Sequence, residues 1–159
     1  HLATELLRER TGLTLTHVPY KGAAPALQDI LGGNVAFMLV DTASGNPFVK
    51  SGKLHALGVA SAQRVPSLPD VPTLIEQGVT GYEAYAWQGL AVPAATPPQT
   101  LARLSQGLTE ALQSDAVKAR FEALGVDGLS GTPDDMARYV KAERERWGKL
   151  IRDNNIRID

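Results

Sequence analysis

The chain has 159 residues and a mass of 17.0 kDa, enough for one ordinary hydrophobic core or for one compact domain with part of a second. With 43% hydrophobic and 21% charged residues it has the composition of a folded globular protein, and a formal charge of -1 leaves no electrostatic footprint for nucleic acid or an anionic membrane. Cysteine is absent, which excludes a disulfide framework and a thiolate metal site.

Leu2 to Arg10 places Leu2, Leu6 and Leu7 on one face and predicts a helix with neither a preceding strand nor a clear N-cap. The sequence opens with His1 and not Met, so the natural chain is expected to start earlier and to have carried a leader there. No apolar run approaches the roughly 18 residues of a membrane span. Leu13 to Val18 alternates among β-formers and reads as a strand closed by Pro19. Ala24 to Leu31 reads as a helix stopped at Gly32-Gly33, Val35 to Val40 as an apolar strand, Asn46 to Lys50 as a short helix stopped at Gly52, and Leu54 to Ala60 as another strand. Apolar strands joined by short helical crossovers predict a parallel or mixed sheet covered on both faces.

Pro66, Pro69, Asp70 and Pro72 mark an ordered surface connection and a boundary, followed by a short helix ending at Gly78. Gly81 to Pro93, with Tyr82, Tyr85 and Trp87, reads as an extended segment longer than the usual strand of about 5–6 residues. Three helices follow. The first is introduced by Thr96-Pro97-Pro98-Gln99, with Thr96 as cap, Pro97 at the first helical position and Gln99 closing a capping box. Its stripe is Leu101, Leu104, Leu108, Ala111 and Leu112. The second runs from about Ala116 to Leu124. The third starts at Thr132-Pro133-Asp134-Asp135 and is expected to bury Met136, Tyr139, Val140, Trp147, Leu150 and Ile151. These stripes have only Gly81–Pro93 and Val126–Leu129 as strands to cover, so their sheet is expected to lie in preceding chain.

No catalytic constellation emerges. His1, His17 and His55 are scattered, with no paired spacing for zinc, and His17 and His55 read as half-buried side chains with satisfied rings. Ala43-Ser44-Gly45 lacks the first glycine of a nucleophile elbow, and Tyr20-Lys21-Gly22-Ala23-Ala24 lacks the glycines and the Ser or Thr of a phosphate-binding loop. Position remains as a guide: ligands of open α/β sheets collect beyond the carboxyl ends of strands, where helix N-termini offer free N–H groups. Two such ends are Pro19 to Ala24 and Asp41 to Ser44. At the second, Asp41, Thr42 and Ser44 serve equally well as helix caps, and a carboxylate at Asp41 suits an amine, a hydroxyl or ordered water on a ligand better than an acid. Tyr82, Tyr85 and Trp87 can line a cleft wall, with core packing as the simpler role.

The run His17-Val18-Pro19-Tyr20-Lys21-Gly22-Ala23-Ala24-Pro25-Ala26-Leu27 with Gly32-Gly33 resembles the signature of the Bug/TctC solute receptors. Further motifs at family spacing are Gly52-Lys53-Leu54, Ser67-Leu68-Pro69-Asp70-Val71-Pro72-Thr73, Gly81-Tyr82-Glu83, Trp87-Gln88-Gly89-Leu90 and Gly131-Thr132-Pro133. The resemblance covers essentially the whole chain. It implies a periplasmic receptor, without cofactor, metal or catalysis, whose two α/β lobes close on a small organic carboxylate and deliver it to the membrane components of a tripartite tricarboxylate transporter.

The implied fold is α/β, periplasmic binding protein type II-like: residues 1–86 form one complete lobe, and residues 87–159 form a crossover strand and the closing helices of the other. The first lobe and a glycine-serine loop ahead of His1 supply much of the family's carboxylate-binding backbone, so this chain carries half a cleft. Matching the family's second-lobe positions, Tyr20, Lys21, Gly22, Ala23, Asp41 and Thr42 are the expected ligand-binding residues, with Trp87 near the hinge. The alternatives are an α/β enzyme acting on a small carboxylate through His17 or Asp41, and a fragment that self-associates through its uncovered helix faces without binding ligand.

Overall fold

The computed structural model describes residues 1–157. Six helices order these residues: α1 Leu2–Thr11, α2 Ala23–Leu31, α3 Thr42–Lys50, α4 Pro98–Gln113, α5 Asp115–Leu124 and α6 Pro133–Asp153. Their ends follow from local chemistry. Gly12 and Gly125 take left-handed backbone (φ 71 and φ 66) and close α1 and α5 by returning their N–H groups to Arg8 and Glu122 carbonyls. Thr132 and Asp135 form a reciprocal capping box at α6, with Pro133 at the first helical position. At α4 the expected Thr96 cap does not form. Pro97 occupies the cap position with ψ 141, the extended conformation that Pro98 imposes on the residue before it, so the helix starts one residue later and has no side-chain cap.

The segments expected as strands are extended or bent, and among the described residues a single bridge pairs them: Val59 with Thr73, parallel. Val59 donates its N–H to the Pro72 carbonyl and accepts from Leu74, both at 3.0 Å, while Ala84 donates to the Ala60 carbonyl at 3.0 Å. Segment 54–60 is therefore contacted by both 72–74 and Ala84. β-Forming residues fix extended backbone, but a ladder also needs a neighbour about 4.7–4.9 Å away, and 13–18, 35–40 and 126–129 have none in register. The short helix expected before Gly78 is a single turn. Thr73 and Glu76 exchange bonds across it (Glu76 N–H to Thr73 Oγ1 at 3.0 Å, Thr73 N–H to Glu76 Oε2 at 2.6 Å), Arg64 reaches Glu76 at 3.1 Å, and Gly78 at φ 95 ends it before a second turn.

The core sits where α1 meets the C-terminal half of α6. Leu6, Tyr82 and Leu150 form its buried centre, with Leu2, Leu7, Leu74, Val79 and Trp147 packed around it. Each fully buried leucine contributes about 1.5–3 kcal/mol relative to exposure. At 21 residues α6 is roughly 30 Å long, and only Leu150 on it is buried. Tyr139, which meets Trp87 of the extended segment 87–93, and Val140 stay exposed, against the expectation of a continuous buried stripe, because no second layer covers that half of the helix. The α4 stripe is uncovered for the same reason: neither α4 nor α5 holds a buried residue, and Leu104 and Leu108 are exposed.

Candidate functional site

The turn before α2 is built around its own helix. The Tyr20 hydroxyl donates to Asp29 Oδ2 at 2.7 Å, and Asn34 Nδ2 donates to Asp29 Oδ1 at 3.3 Å. The Tyr20 bond, then the Asn34 bond, hold the Asp29 carboxyl below its ordinary range, and the same carboxylate holds the Tyr20 phenol above its own. Tyr20 thus pins the turn onto α2 and has no free hydroxyl proton for a ligand. Lys21 is exposed. Gly22, at φ 108 and ψ 177, adopts backbone that only glycine takes readily and brings no side-chain oxygen to the helix end. No acidic residue lies in the first turn of α2, so the N–H groups from Ala23 onward, apart from the missing one of Pro25, present an uncapped partial positive charge.

The turn before α3 has the opposite character. Asp41 caps the helix, its Oδ1 accepting from the Ser44 N–H at 2.9 Å, which neutralises that end toward an anion. Thr42 donates its hydroxyl to the Gly125 carbonyl at 2.7 Å, so its proton is committed to the end of α5. Beside it the buried Asn46 donates Nδ2 to Ser67 Oγ at 3.0 Å. The sequence marks Asn46 as the start of a helix, Ser67 as the head of a family motif and Gly125 as a helix stop, and none of the three as a site residue.

The aromatic residues separate. Tyr82 is fully buried and donates to the Ala3 carbonyl at 2.9 Å, the core role expected of it. Tyr85 and Trp87 are 45% and 42% exposed. Tyr85 accepts from the Ala62 N–H at 3.0 Å, and Trp87 meets Tyr139 edge to face at 5.5 Å. Contrary to expectation, His17 and His55 are both exposed, and the His17 ring stacks on His1 with centroids 3.8 Å apart. Among the described residues no three His, Asp or Glu side chains converge on a point that could hold a metal, and no helix is long and apolar enough to cross a membrane. A groove of about 700 Å³ lies away from both turns, between α4 and the start of α6; its lining includes Leu101, Ala102 and Pro133, so it continues the uncovered α4 face.

Residues 1–156 match the family model described as tripartite tricarboxylate transporter family receptor. Among solved structures the chain is similar to Rpa4515 of Rhodopseudomonas palustris with adipate, at 36% identity and a TM-score of 0.88, covering 96% of this chain and 51% of that one. It is similar to the periplasmic binding protein BugD at 33% identity and a TM-score of 0.83 (98% and 53%), and to MatC of Rhodopseudomonas palustris with bound malate at 32% and 0.79 (94% and 52%). The chain spans about half the length of these proteins, and 45% and 48% of the first curated relatives it matches. Its helices and its mostly unpaired extended segments are thus part of an α/β, type II-like periplasmic binding protein fold, and the motifs from His17 to Pro133 lie inside the matched span. By fold and by sequence along nearly its whole length, the chain belongs to the family of tripartite tricarboxylate transporter receptors.

Proposed function

We propose that this chain is the C-terminal half of a periplasmic receptor, a binding protein and not an enzyme, that captures a small dicarboxylate and delivers it to a tripartite tricarboxylate transporter in the membrane. The observation that carries the reading is the match of residues 1–156 to the receptor family, together with superposition on neighbours whose bound molecules are adipate and malate. The geometry favours one end of the cleft over the other. The uncapped start of α2, with Gly22, Ala23 and the exposed Lys21, offers N–H groups and a cation to one carboxylate. Asp41 and Thr42 at α3 face a hydroxyl or a water more readily than a second acid, since Asp41 is itself the anion there. Trp87, partly exposed at the crossover, is the proposed wall at the hinge.

The test is calorimetric titration with adipate, malate and matched monocarboxylates, of this chain and of a longer protein in which a family N-terminal half precedes it. Saturable, exothermic binding of a dicarboxylate by the longer protein, weakened at least tenfold by Lys21→Ala with Gly22→Asp, is expected. Absence of binding across the acids in both proteins, or turnover of any of them, would sink the reading.

A further inference from the structure

The hairpin of α4 and α5 has no buried side chain of its own, and the helix of residues 1–86 that it principally meets is α3. That contact is polar and specific. Thr42 Oγ1, in the first turn of α3, donates to the Gly125 carbonyl at 2.7 Å, and Gly125 is the left-handed residue that ends α5. A Cβ on Gly125 would lie 2.8 Å from both Asn46 Nδ2 and Ser67 Oγ, so the backbone there approaches two side chains more closely than any other residue would allow. Asn46, 7% exposed, keeps its amide directed at Ser67 at 3.0 Å. Three separate stretches of chain, α3, the 65–68 turn and the end of α5, thus converge on one glycine.

We infer that Thr42, Asn46, Ser67 and Gly125 form a latch that docks the α4–α5 hairpin onto the start of α3, with Thr42 as a positioning residue that sets how the hairpin closes against residues 1–86. Because the latch grips the first turn of α3, releasing it frees the turn that carries Asp41. Its effect on ligand capture rests on the receptor reading above: a receptor whose closed form is populated only in part binds more weakly by that fraction. The latch itself does not depend on any ligand.

The chain has no cysteine, so pairs of spin labels can be introduced cleanly. One pair, Lys50→Cys with Lys118→Cys, spans the latch; a second, Glu9→Cys with Glu145→Cys, spans the α1–α6 contact. Distances are measured by double electron–electron resonance without ligand, with labelled chains diluted in unlabelled ones so that only pairs within one chain are read, in the otherwise unaltered chain and in Thr42→Val and Thr42→Ser. Thr42→Val removes only the donor, and the docked-to-undocked ratio at the first pair is expected to fall about threefold to tenfold, the equilibrium equivalent of one hydrogen bond. Thr42→Ser keeps the hydroxyl and is expected to retain the original narrow distribution, with the second pair unchanged throughout. An unchanged first pair in Thr42→Val, or a Thr42→Ser distribution as broad as that of Thr42→Val, overturns the latch. Broadening of both pairs together also overturns it, by assigning Thr42 to general folding. Carboxylate binding is read separately by calorimetry, so failure of the receptor reading leaves these distances untouched.

Discussion

Tyr82 joins the two ends of the chain. Its side chain is fully buried between α1 and α6, and its hydroxyl reaches back to the Ala3 carbonyl at 2.9 Å. Tyr82→Phe keeps the ring and deletes one buried bond, so urea unfolding should show a loss of about 1 kcal/mol, whereas Tyr82→Ala should cost about 3–5 kcal/mol because the cavity cannot close. Burial pushes the Tyr82 phenol up to about 12. The folded state therefore holds this proton more tightly than the unfolded chain does, and the contribution is complete below the ordinary tyrosine range and is lost as pH rises through about 12. Urea curves stepped into alkali should show the advantage of the unaltered chain over Tyr82→Phe shrinking as pH rises towards about 12; a constant difference would detach alkaline unfolding from this burial. Sequence pattern placed Tyr82, Tyr85 and Trp87 on one extended segment but could not say which of them is buried. Residues 82, 85 and 87 do not share a single face of a regular strand, and which of them meets the core depends on where α1 and α6 lie.

At the scale of elements, helices were legible and sheet pairing was not. Caps and stops act within a few residues, so all six helices were foreseen; five of the predicted starts lie within a residue or so of the observed ones. The apolar pattern puts the α3 start at Asn46, four residues late: Asp41 is legible as a cap, but the Gly45 and Pro47 that follow it break the helical pattern. The α4 cap slipped by one because two prolines compete for one position. Pairing of 13–18 or 35–40 depends on partners that no local pattern encodes, and the same holds for the candidate site: the Thr42–Gly125 bond joins residues 83 apart in sequence. The α6 capping box gives an element-scale prediction. Thr132→Ala removes the acceptor of the Asp135 N–H and should lower stability by about 1 kcal/mol near neutral pH. The Thr132 hydroxyl, then its N–H, hold the Asp135 carboxyl below its ordinary range. This contribution is present above that range and is lost as pH falls through the depressed value, so the difference between wild type and Thr132→Ala should shrink in acid. Parallel urea curves near pH 7 and near pH 3 check it; a difference that grows in acid would contradict the assigned cause.

For the whole molecule the decisive quantity is surface. A self-contained monomer of 17.0 kDa is expected to expose roughly 7,700 Å², and this chain exposes 11621 Å². Leu57, Leu90 and Leu129 are 70%, 77% and 86% exposed, and the α4 stripe is open at Leu104 and Leu108. The middle of the α4 stripe and the N-terminal part of the α6 stripe are therefore uncovered in the structure, consistent with a chain that spans about half of its relatives, while Trp147 and Leu150 of α6 pack on α1. The excess, on the order of 3,900 Å², exceeds the roughly 1,600 Å² of a standard stable interface, and the exposed surface carries large apolar side chains. Such a surface lowers its free energy by finding any complementary partner. Sedimentation velocity on the chain alone should show reversible, concentration-dependent association, accompanied by strong binding of an apolar fluorescent dye. Leu104→Glu with Leu108→Glu should weaken the association, since a charge on the α4 stripe must be desolvated in any contact that buries it. Supplying a family N-terminal half ahead of the chain should abolish both association and dye binding at once. A monodisperse monomer that binds no dye would mean that these segments cover one another in solution, with α4 and α5 folded back over the extended strands.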